Sequence, residues 1–120
     1  MTEFILRGQC PSGKNAVMIT RSGHRYPGKR FVAWRESAKF MVPKLQIGPL
    51  AEPLMITIRY YPGDLRRRDA PGMLDALFHL FEYTGLVADD KFFQEIDWKQ
   101  MSLDRGNPRC EIIISLISAQ

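Results

Sequence analysis

Between Arg66 and Asp90 the chain reads "RRRDAPGMLDALFHLFEYTGLVADD". Three arginines run into an aspartate, an apolar segment follows, and two aspartates close it. Arginines hold phosphates by bidentate hydrogen bonds, and carboxylates hold hard metal ions. Together they suit metal-dependent cleavage of a phosphodiester, in which the metal activates water and offsets charge on the attacked phosphate. The carboxylates that could hold a metal are Asp69 at one end of the segment and Asp89 and Asp90 at the other. The candidate phosphate contacts are Arg66, Arg67 and Arg68, helped by Lys14, Arg25, Lys29 and Arg30. No recognition helix with base-reading side chains is evident, so contacts to the nucleic-acid backbone are expected. A plainer account exists for each group. Asp69 alone is a good helix N-cap. Asp75, His79 and Glu82 follow i, i+4, i+7 and form an ordinary solvated helix face. His79 has no cysteine or second histidine near it in sequence, which argues against zinc.

These residues need a frame. "EFILRG" (3 to 8) has the content of a short strand, and "AVMIT" (16 to 20) of a second. "QCPSGKN" is a loop, and "RSGHRYPGKR" (21 to 30) a basic turn region. A helix is predicted over 31 to 46, with Phe31, Trp34, Phe40 and Met41 on or near one face and Pro43 threatening its last turn. "LMITIRYY" (54 to 61) is a strand with Leu54, Ile56, Ile58 and Tyr60 on one face. After the loop 62 to 69, a helix over about 72 to 84 starts at the cap Asp69, tolerates Pro71 in its first turn and ends at Gly85. Its apolar stripe comprises Met73, Leu74, Leu77, Phe78, Leu80 and Phe81. Strands follow over 92 to 103 and 110 to 118, with a turn at 104 to 108. The expected architecture is α+β (α/β): a single domain over 1 to 120, with a mixed β-sheet packed against two main helices.

A chain of 120 residues fits one core, though a partner subunit would help to bury surface. A net charge of +4 permits an anionic partner without demanding one. Cys10 and Cys110 lack metal-ligand spacing, and "MTEFILRG" carries Glu3 and no long apolar run. Free thiols in a cytoplasmic protein are therefore expected. The apolar runs fall far short of a membrane span.

The segment from Asp69 onward resembles the RusA-type Holliday-junction resolvases of phages and prophages. That family has a basic run, D-x-D-N-x-x-K, a helix with Asp-Ala-Leu, a turn glycine and a closing Asp-Asp. Asp69 takes the first aspartate, Gly85 the glycine, and Asp89 and Asp90 the closing pair, without a gap. "CPSGKN" resembles the family's early Pro-Ser-x-x-Asn loop through Pro11, Ser12, Lys14 and Asn15. Trp34 and Arg35 occupy the place of its aromatic-Arg pair. The resemblance implies a RusA-like fold, a homodimer, and magnesium-dependent hydrolysis of four-way DNA junctions in recombination and repair. It also adds Asn15 to the DNA contacts. The chain departs from the pattern at Pro71 (family Asp), Gly72 (family Asn) and Asp75 (family Lys). Asp75, one turn along the helix, is a candidate replacement ligand, but it does not restore the lost positive charge.

Three functions are consistent with these residues: a magnesium-dependent endonuclease on branched DNA, a junction-binding protein of the same fold with impaired catalysis, or a small protein-interaction module. A helix of about 13 residues spans roughly 20 Å. Asp69 and Asp90 thus lie at its opposite ends unless the chain folds back after Gly85. Alternatively, two antiparallel helices across a dimer axis bring Asp69 of one subunit to Asp90 of the other. Phe78 and Phe81 go beyond what one sheet face needs and would supply that contact.

Overall fold

The structure, a computed structural model, describes residues 1–12, 18–19, 21–26 and 28–119, without the side chains of 18, 19, 25, 26 and 119. The strands are β1 (Thr2–Arg7), β2 (Met18–Ile19), β3 (Arg25–Tyr26), β4 (Leu54–Tyr61), β5 (Phe93–Gln100) and β6 (Arg109–Leu116). The helices are α1 (Lys29–Ala38) and α2 (Ala70–Tyr83). Four strands form one sheet in the order β1-β6-β4-β5, and β2 pairs with β3 in a separate ribbon. β6 is antiparallel to both its neighbours, while β4 and β5 are parallel. Parallel neighbours need a crossover, and α2 provides it. The fold is α+β, with a mixed sheet and two main helices, as the sequence predicts.

Strand β4 alternates strictly. Leu54, Ile56, Ile58 and Tyr60 are buried, and the residues between them are half-buried. β6 places Cys110, Ile112 and Ile114 beside them on the same face. Helix α2 covers this face with Met73, Ala76, Leu77, Leu80 and Phe81, all fully buried. Their i, i+3, i+4, i+7, i+8 spacing is one helical stripe. Phe81 meets Phe4 edge-on at 5.7 Å, and Phe78 stacks on Phe93 at 4.7 Å. Phe81 is therefore taken up inside the chain, while Phe78 and Leu74 remain partly exposed. The opposite sheet face carries Glu3, Ile5, Arg59, Asp97, Arg109 and Glu111.

The first helix is shorter than predicted. It ends at Ala38, and a 3-10 turn (Lys39–Met41) follows. The cause is Pro43, which disfavours the helical region for the residue before it. Val42 is extended (φ −83°, ψ 128°). Phe31 stays in the core, but the turn swings Phe40 outward to 81% exposure, against its predicted place on the helix face. Of the predicted second strand, Met18–Ile19 is a strand, and 16, 17 and 20 lie outside the described residues. Its partner, β3, lies in the segment expected to be a basic turn.

At its other end α2 stops as the glycine predicts. Gly85 takes φ +78°, which costs a residue lacking Cβ little. Gly85 N–H donates to the Glu82 carbonyl and Leu86 N–H to that of Phe81, the two bonds of a Schellman motif. Leu86 and Val87 then bury, and Leu50 brackets the segment with two backbone bonds of 2.9 Å. The chain is thus turned back against its own helix.

Candidate functional site

That reversal builds an acidic group. Asp90 N–H donates to Glu82 Oε1 at 2.6 Å, which holds the returning chain against the last turns of α2. Asp89 caps the short 3-10 turn after it by accepting from Lys91 N–H at 2.9 Å. Carboxylate oxygens of Glu82, Asp89 and Asp90 all come within 4.8 Å of one another. Partial desolvation, then the charge of Glu82, then Asp89, raise the Asp90 carboxyl above its ordinary value. Asp75, two turns before Glu82 on the same face, adds to that repulsion. Like charges gathered without a cation shift a pKa in this direction.

Of the predicted metal residues, the structure thus brings together Asp89 and Asp90, with Asp75 in electrostatic reach. Glu82 joins them. It is read in the sequence only as part of a polar helix face, because nothing in its spacing says that the chain returns to it. Asp69 stands at the other end of α2, where it caps the helix: its Oδ2 accepts from Gly72 N–H at 3.1 Å. The chain does turn back after Gly85, but it carries Asp90 to Glu82 and not to Asp69, so the fold-back does not bring the two predicted ligands together within one chain. Three oxygen-donor side chains in open, hydrated surroundings suit magnesium, which is satisfied by one or two carboxylates and keeps several waters.

The basic loop lies at the Asp69 end. Arg68 is largely buried and turns inward. Its two terminal nitrogens reach the two oxygens of Asp64 at 2.7 and 3.1 Å, and Nη1 lies 3.4 Å from the Tyr60 hydroxyl. Those bonds from Arg68, then the Arg66 N–H, hold the Asp64 carboxyl down at about 2. Gln9 closes the arrangement by donating to Tyr60 Oη at 2.7 Å and accepting from Gly63 N–H at 3.2 Å. Arg68 therefore shapes the loop, while Arg66 and Arg67 point to solvent. All three line a cleft of about 370 Å³ with Asp64, Tyr60 and Gln100.

The other predicted contacts divide. Lys29 and Arg30 are exposed in the first turn of α1. Cations are disfavoured there by the helix dipole, whereas an anion is favoured. Lys14 and Asn15 lie outside the described residues, and so does the side chain of Arg25. Arg35 of the Trp-Arg pair enters the seam between the helices. Its guanidinium lies 4.1 Å from the Tyr83 ring centroid, and Nη1 is 3.3 Å from His79 Nε2. Its Nε approaches Glu36 Oε2 to 3.4 Å without hydrogen-bond geometry, so we count that contact as charge proximity alone. Glu36 accepts from the Tyr83 hydroxyl at 2.6 Å and from Lys39 at 2.9 Å, and these bonds hold its carboxyl at about 2.

Among the described residues no helix is long and apolar enough to cross a membrane. No family model matches the chain, and no curated protein matches it.

Proposed function

We propose that this protein is a magnesium-dependent endonuclease acting on branched DNA, with four-way junctions as its substrate class and a homodimer as its working form. The observation that carries this reading is the gathering of Glu82, Asp89 and Asp90, whose carboxylate oxygens lie within 4.8 Å of one another. Oxygen donors so grouped suit a hard cation, and the same helix starts from a loop of outward arginines. The resemblance of the 66-to-90 segment to the RusA-type resolvases supplies the substrate class, and the reading depends on it for that.

In this reading Glu82, Asp89 and Asp90 would hold the ion. Magnesium, when bound, would activate water and offset phosphate charge. The chain's own residues do the rest. Arg66 and Arg67 bind DNA phosphates beside the cleft, and Lys29 and Arg30 add a second anionic contact at the start of α1. Asp69 fixes the first turn of α2 and so the angle at which the arginine loop leaves it. Asp75 takes the place of the family lysine and supplies no positive charge beside the carboxylate group, while the loop arginines hold DNA at the other end of α2.

One observation favours a second reading, a junction-binding protein with impaired cleavage. At Gly72, where the family has asparagine, a Cβ would meet the Ser12 backbone at 3.0 Å. The loop through Ser12 is packed close onto the first turn of α2, and an asparagine there would force that backbone to yield. Incubating the protein with a synthetic four-way junction, with and without magnesium, separates the readings. Paired cuts that require magnesium support the nuclease. Salt-sensitive binding without cuts supports the binder, and the absence of both refutes the two together.

A further inference from the structure

Cys10 and Cys110 stand near opposite ends of the sequence and meet in the core. Cys110 lies in β6, across from Leu6 of β1 and Tyr60 of β4. Cys10 lies just beyond β1, in the loop 8 to 12. Both are free and buried, at 2% and 0% exposure, and the two thiols lie close enough to interact. The Cys10 thiol also lies 3.4 Å from the Pro11 carbonyl, in position to donate to it. The acidic group and the arginine loop use neither sulfur.

The surroundings of Cys10 give the pair a consequence. Its neighbour Gln9 is the residue that grips Gly63 N–H and the Tyr60 hydroxyl. Tyr60 in turn lies against Arg68, whose bonds to Asp64 shape the arginine loop. Two residues on, Ser12 abuts Gly72 in the first turn of α2. The short segment carrying Cys10 is therefore the seat of both the arginine loop and the start of α2.

We propose that Cys10 and Cys110 form a reversible disulfide that fixes this segment to β6 and stiffens the arginine loop through Gln9, with a hydroperoxide as oxidant. The step balances. The Cys10 thiolate attacks the peroxide, breaking its O–O bond and yielding Cys10 sulfenic acid; with hydrogen peroxide, one water leaves. The Cys110 sulfur then attacks the Cys10 sulfur, the S–O bond breaks, and a second water leaves. Two electrons pass from the sulfur pair to the two peroxide oxygens. Only Cys10 has to meet the oxidant, and Cys110 resolves the intermediate from inside. Burial, then the neighbouring Cys110, raises the Cys10 thiol well above its ordinary value, with the Arg68 charge opposing them. Little thiolate is present while the segment is closed, so oxidation waits for it to open. The disulfide thus answers sustained oxidant and resists brief exposure.

The test treats the folded full-length chain with excess hydrogen peroxide, alkylates remaining thiols, and maps peptides without reduction. Hydrogen exchange is followed at Gly63 before and after. The expected result is a Cys10–Cys110 linked peptide within one chain, reversed by dithiothreitol. Exchange at Gly63 should slow several-fold, and the thermal midpoint should rise by on the order of 10 °C, because the bridge closes nearly the whole chain. In Cys110→Ser the same treatment should stop at Cys10 sulfenic acid, which dimedone traps. Two alkylated thiols after treatment, or linkage only between chains, overturns the proposal. A linked peptide with unchanged exchange at Gly63 overturns its coupling to the arginine loop.

Discussion

Replacing Asp90 by asparagine should stabilise the metal-free protein. The side chain keeps its shape and its backbone N–H still reaches Glu82, so the change isolates the charge. At the 4.8 Å limit of the carboxylate group, two unit charges in water repel by about 0.9 kcal/mol. Asp90 faces two such neighbours, Glu82 and Asp89. Screening over a length of roughly 8 Å at physiological ionic strength cuts each interaction to about half. Asp90 is exposed, so no larger, low-dielectric figure applies. The gain is therefore about 1 kcal/mol, or roughly 4 °C in the unfolding midpoint of a chain of 120 residues.

Thermal unfolding followed by circular dichroism, in EDTA, measures it directly. The gain should shrink in about 1 M salt, where the screening length is roughly 3 Å. It should also depend on pH in one direction. The Asp90 value is raised by the fold, so the folded state bears the repulsion at pH above that value and is relieved as pH falls through it. The difference between the variant and the parent should then close at low pH. Magnesium should raise the midpoint of the parent and leave that of Asp90→Asn nearly unmoved. A variant less stable than the parent in EDTA, or a gain indifferent to salt, would show that Asp90 is not held in a repulsive carboxylate group.

Arg66→Ala with Arg67→Ala should weaken binding to all junction sequences alike and reduce the salt slope by about 2, measured by fluorescence anisotropy across salt concentrations. Acid should destabilise the fold through Asp64 and Glu36. Their folded values of about 2 lie below the ordinary carboxylate range, so stability present above the unfolded value is lost as pH falls toward 2, which acid titration of ellipticity detects. Phe81→Ala should cost about 3–5 kcal/mol in urea unfolding, because Phe81 is fully buried against Phe4 and Phe93. Asp69→Asn should keep the fold, since asparagine caps helices as well as aspartate does. In the nuclease reading it should also leave magnesium-dependent junction cleavage near the parent rate, since Asp69 acts there as a cap; abolished cleavage in gel assays would place Asp69 among the metal ligands.

What the sequence discloses follows from how far each signal reaches along the chain. The alternation in β4, the cap at Asp69, Pro71 in the first turn and Gly85 at the close are local, and each acts in the structure as its chemistry requires. Arg68 shows where local reading fails. Its type and its neighbours advertise a phosphate contact, yet Asp64, four residues back, takes both terminal nitrogens. The spacing alone could have suggested this, because an i, i+4 ion pair needs no tertiary information once the loop is seen to turn. Glu82 and Cys110 are of another kind. Glu82 enters the acidic group because the Schellman turn at Gly85 and the bracket from Leu50 return the chain to the helix it has just left. Cys110 meets Cys10 because β6 lies beside β1, an adjacency that only the assembled sheet creates. The glycine predicts that the chain turns, but where it lands depends on the isolated bridge from Leu50, some thirty-five positions earlier. The residues of a candidate site are thus legible in sequence as far as their chemistry is local, and their grouping is settled by the packing of elements distant in the chain.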